Sequence, residues 1–426
     1  MKTLNVAHNA DFLYSDEDKI SEDGTSRFEP HFKPDWSPDT LRSYNYISHL
    51  TVIRSDLLEK TGWLKPGYDG SQDYDIILRA TEQAKKIVHI PKILYHWRIA
   101  GNATMDNVSA NAAKKALGGH LSRMGLKGDV VDGCLPGTYR TNYVIPGRPV
   151  VSIIILNKDN AVLLEKCVNS ILGKSAYIHY EIIIVENNST QEKTFKLYDD
   201  LKTKDNVKVV VSEKPFNYAA ANNYAVGYAK GEILLFLNND TEVINVDWLE
   251  CMLGLATRKD VGAVGAKLYY ADKTIQHAGV IVGIKGIAGH SHKYFTEKSA
   301  GYVGRLQIVH NVSAVTGACL MMRREVFEAT KGFDEDFILN LNDVDLCLKI
   351  LEMGYLVVWT PYSELYHYEY KTRGHNDTPA KKELYEREVG LFQKKWKNFL
   401  KRGDPYYSPN LTQSKEDFSI NMAYII

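Results

Sequence analysis

The sequence predicts an α/β protein built on a parallel sheet with helices on its faces. Two observations carry this. Four continuous apolar runs rich in β-branched residues, VVSIIIL (150–156), YEIIIV (180–185), VKVVV (207–211) and EILLFL (232–237), have the character of strands buried on both faces. Helical patterns stand between them: Leu164, Cys167, Val168 and Ile171 fall at i, i+3, i+4, i+7, as do Ala221, Tyr224, Ala225 and Tyr228. Strand and helix in alternation build parallel βαβ units rather than a sandwich. The mix of 44% hydrophobic and 24% charged residues is that of a folded protein, not a disordered one.

The 426 residues are enough for about two or three domains. Lys+Arg and Asp+Glu both count 52, so no strong positive field exists to gather nucleic acid. No run reaches the ~18 apolar residues of a membrane span, and the N-terminus lacks the apolar core of a secretory signal. The five cysteines are scattered and form no CxxC. A disulfide scaffold or zinc knuckle is disfavoured, and a reducing cytoplasm is the expected location.

The chain repeats itself. IRSDLLEKTGWLKPGYDGSQDYD (53–75) answers RREVFEATKGFDEDFILNLNDVD (323–345), with Arg54 and Arg324, Gly62 and Gly332, Asp73 and Asp343, and Asp75 and Asp345 each 270 residues apart. LYHW (94–97) then answers LYHY (365–368), with His96 and His367 offset by 271. So long a period indicates duplicated domains, not a solenoid. Only the second copy is preceded by the strand–helix series. The expected organisation is a partial domain over 1–105, a linker with a helix over 106–149, and a complete domain over 150–426.

Open α/β sheets bind ligands beyond the carboxyl ends of their strands. Polar clusters stand there: Asn157 to Asn160 after the first strand, Glu186 to Ser189 after the second, Asn238 to Thr241 after the fourth. Singly, each reads equally well as turn chemistry. Three on one edge favour a polar ligand site. No GxGxxG or GxxxxGK[ST] follows the first strand, which removes support from dinucleotide oxidoreductases and P-loop enzymes. Asp240 is a hard oxygen ligand that could hold a divalent cation against a diphosphate.

In LNDVDLCLKILEMGY (341–355), Val344, Cys347, Leu348 and Leu351 mark a helix ending at Gly354. Asn342, Asp343 and Asp345 at its start read either as capping with a favourable dipole or as two working carboxylates, one accepting a proton and one holding a hydroxyl. His367, followed by Arg373-Gly374, closes the series.

In this order, VSIIILNKDN, EIIIVENNS, GEILLFLNNDTEV, GACLMMRREVF, GFDEDF, NDVDLCLK and HYEYKTRG resemble glycosyltransferase family 2 with its GT-A fold, over about residues 150–411. YSDEDK, FKPDWSPD, GSQDYDIILR and HIPKILYHWR resemble the second half of another such domain. The resemblance implies an inverting transferase, of hexosyl or rhamnosyl type, moving a sugar from a nucleotide-diphosphate donor to a bacterial cell-surface glycan or lipid-linked glycan. It implies donor contacts from Asn157, Asp159, Glu186, Asn187, Asn188, Asn223, Asn238, Asn239, Asp240 and Arg373. Asp240 takes the metal-binding last position of the DXD motif, with Asn238 replacing the first Asp. His367 matches a second ligand, for Mg²⁺ or Mn²⁺. Asp343 matches the catalytic base, with Asn342 replacing a Glu, and Asp345 would hold the acceptor or position the helix. Glu186 departs from the usual Asp. Residues 1–105 lack the nucleotide-holding strands, and little activity is expected of them.

Phe392, Trp396 and Leu400 form one stripe in the basic segment LFQKKWKNFLKR (391–402). It reads either as a surface helix packed on the domain or as a peripheral contact with the inner face of the plasma membrane. The exposed face of a half domain would favour pairing, including oligomerisation. A non-catalytic nucleotide- or glycan-binding scaffold is the alternative to the enzyme.

Overall fold

The computed structural model describes residues 2–99, 107–369 and 378–421. The first unit is a small sheet of β1 (Phe12–Ile20), β2 (Arg27–His31), β3 (Thr51–Ile53) and β4 (Ile87–Arg98). β1 is central, parallel to β4 and antiparallel to β2 and β3. The helices Gln72–Gln83 and Asn107–Arg123 and the hairpin β5 (Gly128–Asp132)–β6 (Tyr139–Tyr143) complete it. Ala113, Ala116, Leu117 and Tyr139 share one core with Phe12, Tyr14 and Leu78. The segment expected as a linker therefore builds core instead of merely spanning a gap.

The large sheet holds β7 (Val151–Asn157), β8 (Tyr180–Glu186), β9 (Val207–Val211), β10 (Ile233–Asn238), β11 (Thr241–Val243), β12 (Val261–Tyr269) and β13 (Ile275–His277). A separate hairpin, β14 (Val280–Val282)–β15 (Ala288–His290), precedes β16 (His310–Asn311), β17 (Cys319–Arg323) and β18 (Leu356–His367). The order is β11-β18-β12-β17-β10-β7-β8-β9, with β13 on β12 and β16 on β18.

The four apolar runs are β7, β8, β9 and β10, all mutually parallel. Beyond β10 the sheet is mixed, because β17 lies antiparallel to both β10 and β12. Leu164, Cys167, Val168 and Ile171 are buried as their spacing predicts. Tyr224 and Tyr228 are exposed instead, and their helix, Tyr218–Val226, buries Tyr218, Ala219, Ala221, Ala225 and Val226.

The repeat is visible in three dimensions. β12 is parallel to β18 and antiparallel to β17 and β13, as β1 is to β4, β3 and β2. The helices Asn342–Glu352 and Gln72–Gln83 hold the same place in the two series. β17 is covered on its far side by β10; β3 has no second strand partner among the described residues. Both parallel pairs slip in register ahead of the histidine near the end of β4 and β18. Pairing runs from Ser15↔Ile90 to Asp18↔His96 in one and from Gly265↔Trp359 to Leu268↔Leu365 in the other.

The two units meet at a buried carboxylate. Asp39 accepts from Arg258, from Arg42 and, at 2.9 Å, from Asn311 Nδ2. Burial alone would raise its pKa; Arg258 and Arg42 overcome this and lower it to about 2. Asn410 Nδ2 reaches Asp16 at 3.1 Å, and Phe32 N–H donates to Tyr302 Oη at 2.7 Å.

Phe392, Trp396 and Phe399, from the helices Pro379–Lys395 and Lys397–Arg402, are buried in the main core, with Leu400 half-buried against it. This corrects the lipid-contact reading of that stripe: its apolar face is already covered by protein. No helix of the described residues is long and apolar enough to cross a membrane.

Candidate active site

β8 and β9 lie on one side of β7 and β10 on the other, so the strand order reverses between β7 and β10. Crevices form where neighbouring crossovers diverge in this way. A cleft of about 660 Å³ opens there, walled by Asn157, Asn238, Asn239, Asp240, Asp343 and His367 among others. Six of the residues expected from sequence are thus brought together.

Two of the amides are held by a relay. Asn239 Nδ2 donates to Asn157 Oδ1 at 2.6 Å, and Asn157 Nδ2 donates to Tyr198 Oη at 2.7 Å. Tyr198 Oη in turn donates to Glu186 Oε2 at 2.5 Å. Glu186 also takes the N–H and hydroxyl of Ser189, both at 2.6 Å. Its carboxylate is therefore occupied behind the cleft wall, where it orients Asn157.

His367 ends β18 opposite Asp240. Its Nδ1 lies 2.6 Å from Gln276 Oε1, and Gln276 Nε2 donates to His367 O at 3.2 Å. The second bond fixes which way the amide points, so Nδ1 carries the proton and Nε2 presents a lone pair. Asn238 Nδ2 donates to that Nε2 at 3.1 Å. Asp240 Oδ1 also stands 3.1 Å from it. An imidazole lone pair facing a carboxylate oxygen, with the opposite ring nitrogen anchored, is the donor set a divalent cation takes. The pair fits a divalent cation. No group of three or more such ligands occurs among the described residues, so exogenous oxygens would complete the shell.

Asp343 opens the helix Asn342–Glu352 and faces the cleft. Gly317 N–H donates to its Oδ2 at 2.7 Å and Val344 N–H to its Oδ1 at 2.8 Å. A Cβ on Gly317 would stand 2.7 Å from Tyr218 Oη, so only glycine brings this N–H so close.

Asp345 corrects the expectation of a second working carboxylate. It is fully buried and points the other way, its Oδ1 taking Trp396 Nε1 at 2.9 Å and Lys395 Nζ at 2.7 Å. Residues two apart on a helix project about 200° apart, so they cannot share one side. In the first unit Asp75 is likewise buried, paired with Arg79. Asp73 bonds Asn45, and His96 is held by Asp18, which also takes Arg27.

The remaining expected donor contacts are occupied elsewhere. Asp159 accepts the N–H groups of Thr190 and Gln191, both at 2.8 Å. Asn187 and Asn188 donate to the carbonyls of Ser212 and Lys214. Asn223 pins the 333–335 loop through Phe333 and Glu335. All four staple loops behind the cleft. Arg373 lies outside the described residues.

Sequence reasoning missed Gln276, His290, Tyr385 and Glu388. Gln276 and His290 lie on three-residue strands, too short for periodicity to mark. Tyr385 reaches the cleft from the helix Pro379–Lys395. Glu388, on the same helix, is buried and takes the N–H groups of Leu339 and Asn340 at 3.0 Å and the Asn340 amide at 2.7 Å.

The cleft thus gathers amides, two carboxylates and a histidine at the point where the strand order reverses. Residues 152–330 match the model of glycosyl transferase family 2. An uncharacterised protein of Sinorhizobium fredii is 44% identical over 99% of this chain and 47% of its own length. An O-antigen biosynthesis protein of Myxococcus xanthus is 40% identical over 95% of this chain and 32% of its own length. The chain therefore spans about half the length of the first of these relatives and about a third of the second. A mannosyltransferase of Pyrobaculum calidifontis, solved with GDP-Man and Mn²⁺, is 19% identical with a TM-score of 0.45, over 62% of this chain and 68% of its own. The chain carries a glycosyltransferase family 2 domain of GT-A fold.

Proposed function

We propose that this chain transfers a glycosyl group, with inversion, from a nucleoside-diphosphate sugar to a hydroxyl of a growing cell-surface polysaccharide. The observation that carries this is the convergence of Asp343 and the Asp240–His367 pair on one cleft at the reversal of strand order. The name of the Myxococcus relative supports the polysaccharide. Asp240 and His367 would hold Mg²⁺ or Mn²⁺, which when bound neutralises charge developing on a departing diphosphate.

Asp343 does the proton chemistry. Its carboxylate, aimed by Gly317 and Val344, takes the proton of the acceptor hydroxyl as that oxygen attacks the anomeric carbon. Such help is worth about 10²–10⁴-fold. A single displacement from the opposite face inverts the anomeric centre. Asn157, Asn238 and Asn239 supply neutral hydrogen bonds to the donor. Residues 1–105 form an acceptor-side half of a second such domain under the same reading, joined through 106–149 to the complete domain over 150–426.

The test is nucleotide release with Mn²⁺ or Mg²⁺ across UDP-, GDP- and dTDP-sugars. Release from one donor, abolished by Asp240→Ala and Asp343→Asn, is the expected result. Asp343→Asn retains donor binding; near-normal turnover in that variant removes the base assignment. A second reading, a non-catalytic scaffold, draws on Asn238, which leaves one fewer acid beside the metal. It predicts binding without turnover in the unaltered protein.

A further inference from the structure

Behind the Asp240–His367 pair lies a second, unassigned element of the cleft. β13 ends at His277, and β15 ends at His290, which lines the cleft beside Val280, Ile287 and Ala288. The two rings meet edge to face, with Nδ1 to Nδ1 at 2.9 Å.

Their protons can be placed. A backbone N–H is always a donor, and Thr316 N–H points at His277 Nε2, at 3.4 Å. That nitrogen is thus an acceptor, and the single proton of neutral His277 sits on Nδ1. From there it is donated to His290 Nδ1. His290, accepting at Nδ1, must carry its own proton on Nε2. Among the described residues Nε2 has no hydrogen-bond partner. Both rings are held neutral. Burial, then the neighbouring His290 and His367, pushes His277 well below the usual histidine range. Burial, then Lys293 and His367, pushes His290 down to about 4.

We infer that His290 presents a fixed, uncharged N–H donor at Nε2 to a sugar hydroxyl in the cleft, and that His277 is the positioning residue that sets its tautomer. The inference rests on the glycosyl-transfer reading above. An uncharged donor with apolar neighbours suits a hydroxyl of a sugar face, whereas the diphosphate belongs with the Asp240–His367 pair. The hydroxyl can come from the donor sugar or from the acceptor, and the experiment separates them.

The first arm needs no ligand. Long-range ¹H–¹⁵N spectra of histidine-labelled protein are expected to show Nδ1–H for His277 and Nε2–H for His290, unchanged from pH 5.5 to 8. A His290 that carries its proton on Nδ1, or that titrates in this range, overturns the inference. The second arm is calorimetry with UDP, GDP and dTDP and with UDP-glucose, GDP-mannose and dTDP-rhamnose in Mn²⁺. If the hydroxyl is the donor's, His290→Ala weakens the nucleotide sugar about 5- to 20-fold and leaves the nucleoside diphosphate unchanged, as loss of one hydrogen bond to a neutral group predicts. If it is the acceptor's, donor affinity holds and KM for an octyl glycoside probe rises by a similar factor.

His290→Gln, which keeps an N–H near that position, restores part of either loss. His277→Asn, which still donates toward His290, is milder than His277→Ala. His290→Ala with both constants unmoved, in a protein that still needs Asp343 for turnover, overturns this inference and spares the glycosyl-transfer reading. An unaltered protein that binds no nucleotide or nucleotide sugar in the panel overturns both.

Discussion

Asp343 and Asp345 are separated by one residue and do unrelated work. Asp343 lies at the cleft, while Asp345 is a buried anchor for Lys395 and Trp396. Asp345→Ala is therefore expected to cost about 2–4 kcal/mol of stability, because it strands buried donors. Urea unfolding checks this, and nucleotide affinity of the folded fraction should not change. Residue type and order marked Asp240, Asp343 and His367 as candidates in the sequence, and all three line the cleft. The direction of a side chain was not legible. Asp159, Glu186, Asn187, Asn188 and Asn223 have the right chemistry, yet their hydrogen bonds close onto neighbouring loops. Gln276 was invisible because its role depends on where His367 arrives from 91 residues away.

At the scale of elements, the helix Pro379–Lys395 acts as a clamp on the turn that carries Asp343. Glu388 grips Leu339 and Asn340 on one side of Asp343, and Lys395 grips Asp345 on the other. Glu388→Gln replaces an acceptor with an amide facing N–H groups, at a cost of about 1–3 kcal/mol. The expected kinetic outcome is a lower kcat with donor affinity held, read by turnover and calorimetry. Because Phe392 and Trp396 are buried, vesicles of anionic lipid should not sediment this protein through that stripe. β7 to β10 were legible because strands buried on both faces are continuous apolar runs. The antiparallel insertion of β17 was not, since sequence periodicity carries no information about strand direction.

For the whole molecule, the Asp39–Arg258 contact ties the two units into one body. Asp39→Ala leaves Arg258 with Asp260 and the Tyr143 hydroxyl and Arg42 without its acid, and is expected to cost about 3–5 kcal/mol and to separate one unfolding transition into two. Calorimetry reads both. Acid should weaken the fold early. Burial lowers the pKa of His31, His120, His277, His290, His292 and His310, with His290 at about 4 and His292 at about 3. Below about pH 6.5 the unfolded chain binds protons that these folded rings refuse, so stability falls as pH drops toward 4, by about 1.4 kcal/mol per pH unit for each fully affected ring. Among the described residues His89, raised by Asp16 and Asp35 against its burial, has the opposite sign. Urea midpoints at pH 7.5 and 5 test the net slope.

The register slip ahead of His96 and His367 bears on how such a chain changes length over generations. The two copies keep a spacing of 270 through Asp75 and Asp345, then 271 at the histidines, so they differ in length by one residue between these points. In an unbroken strand that single codon would turn every later side chain to the opposite face. A bulge, present in both copies, is slack that can absorb such a change. His96 and His367 both stand beyond the slip, near the ends of β4 and β18, so these strands tolerate a change of length ahead of them.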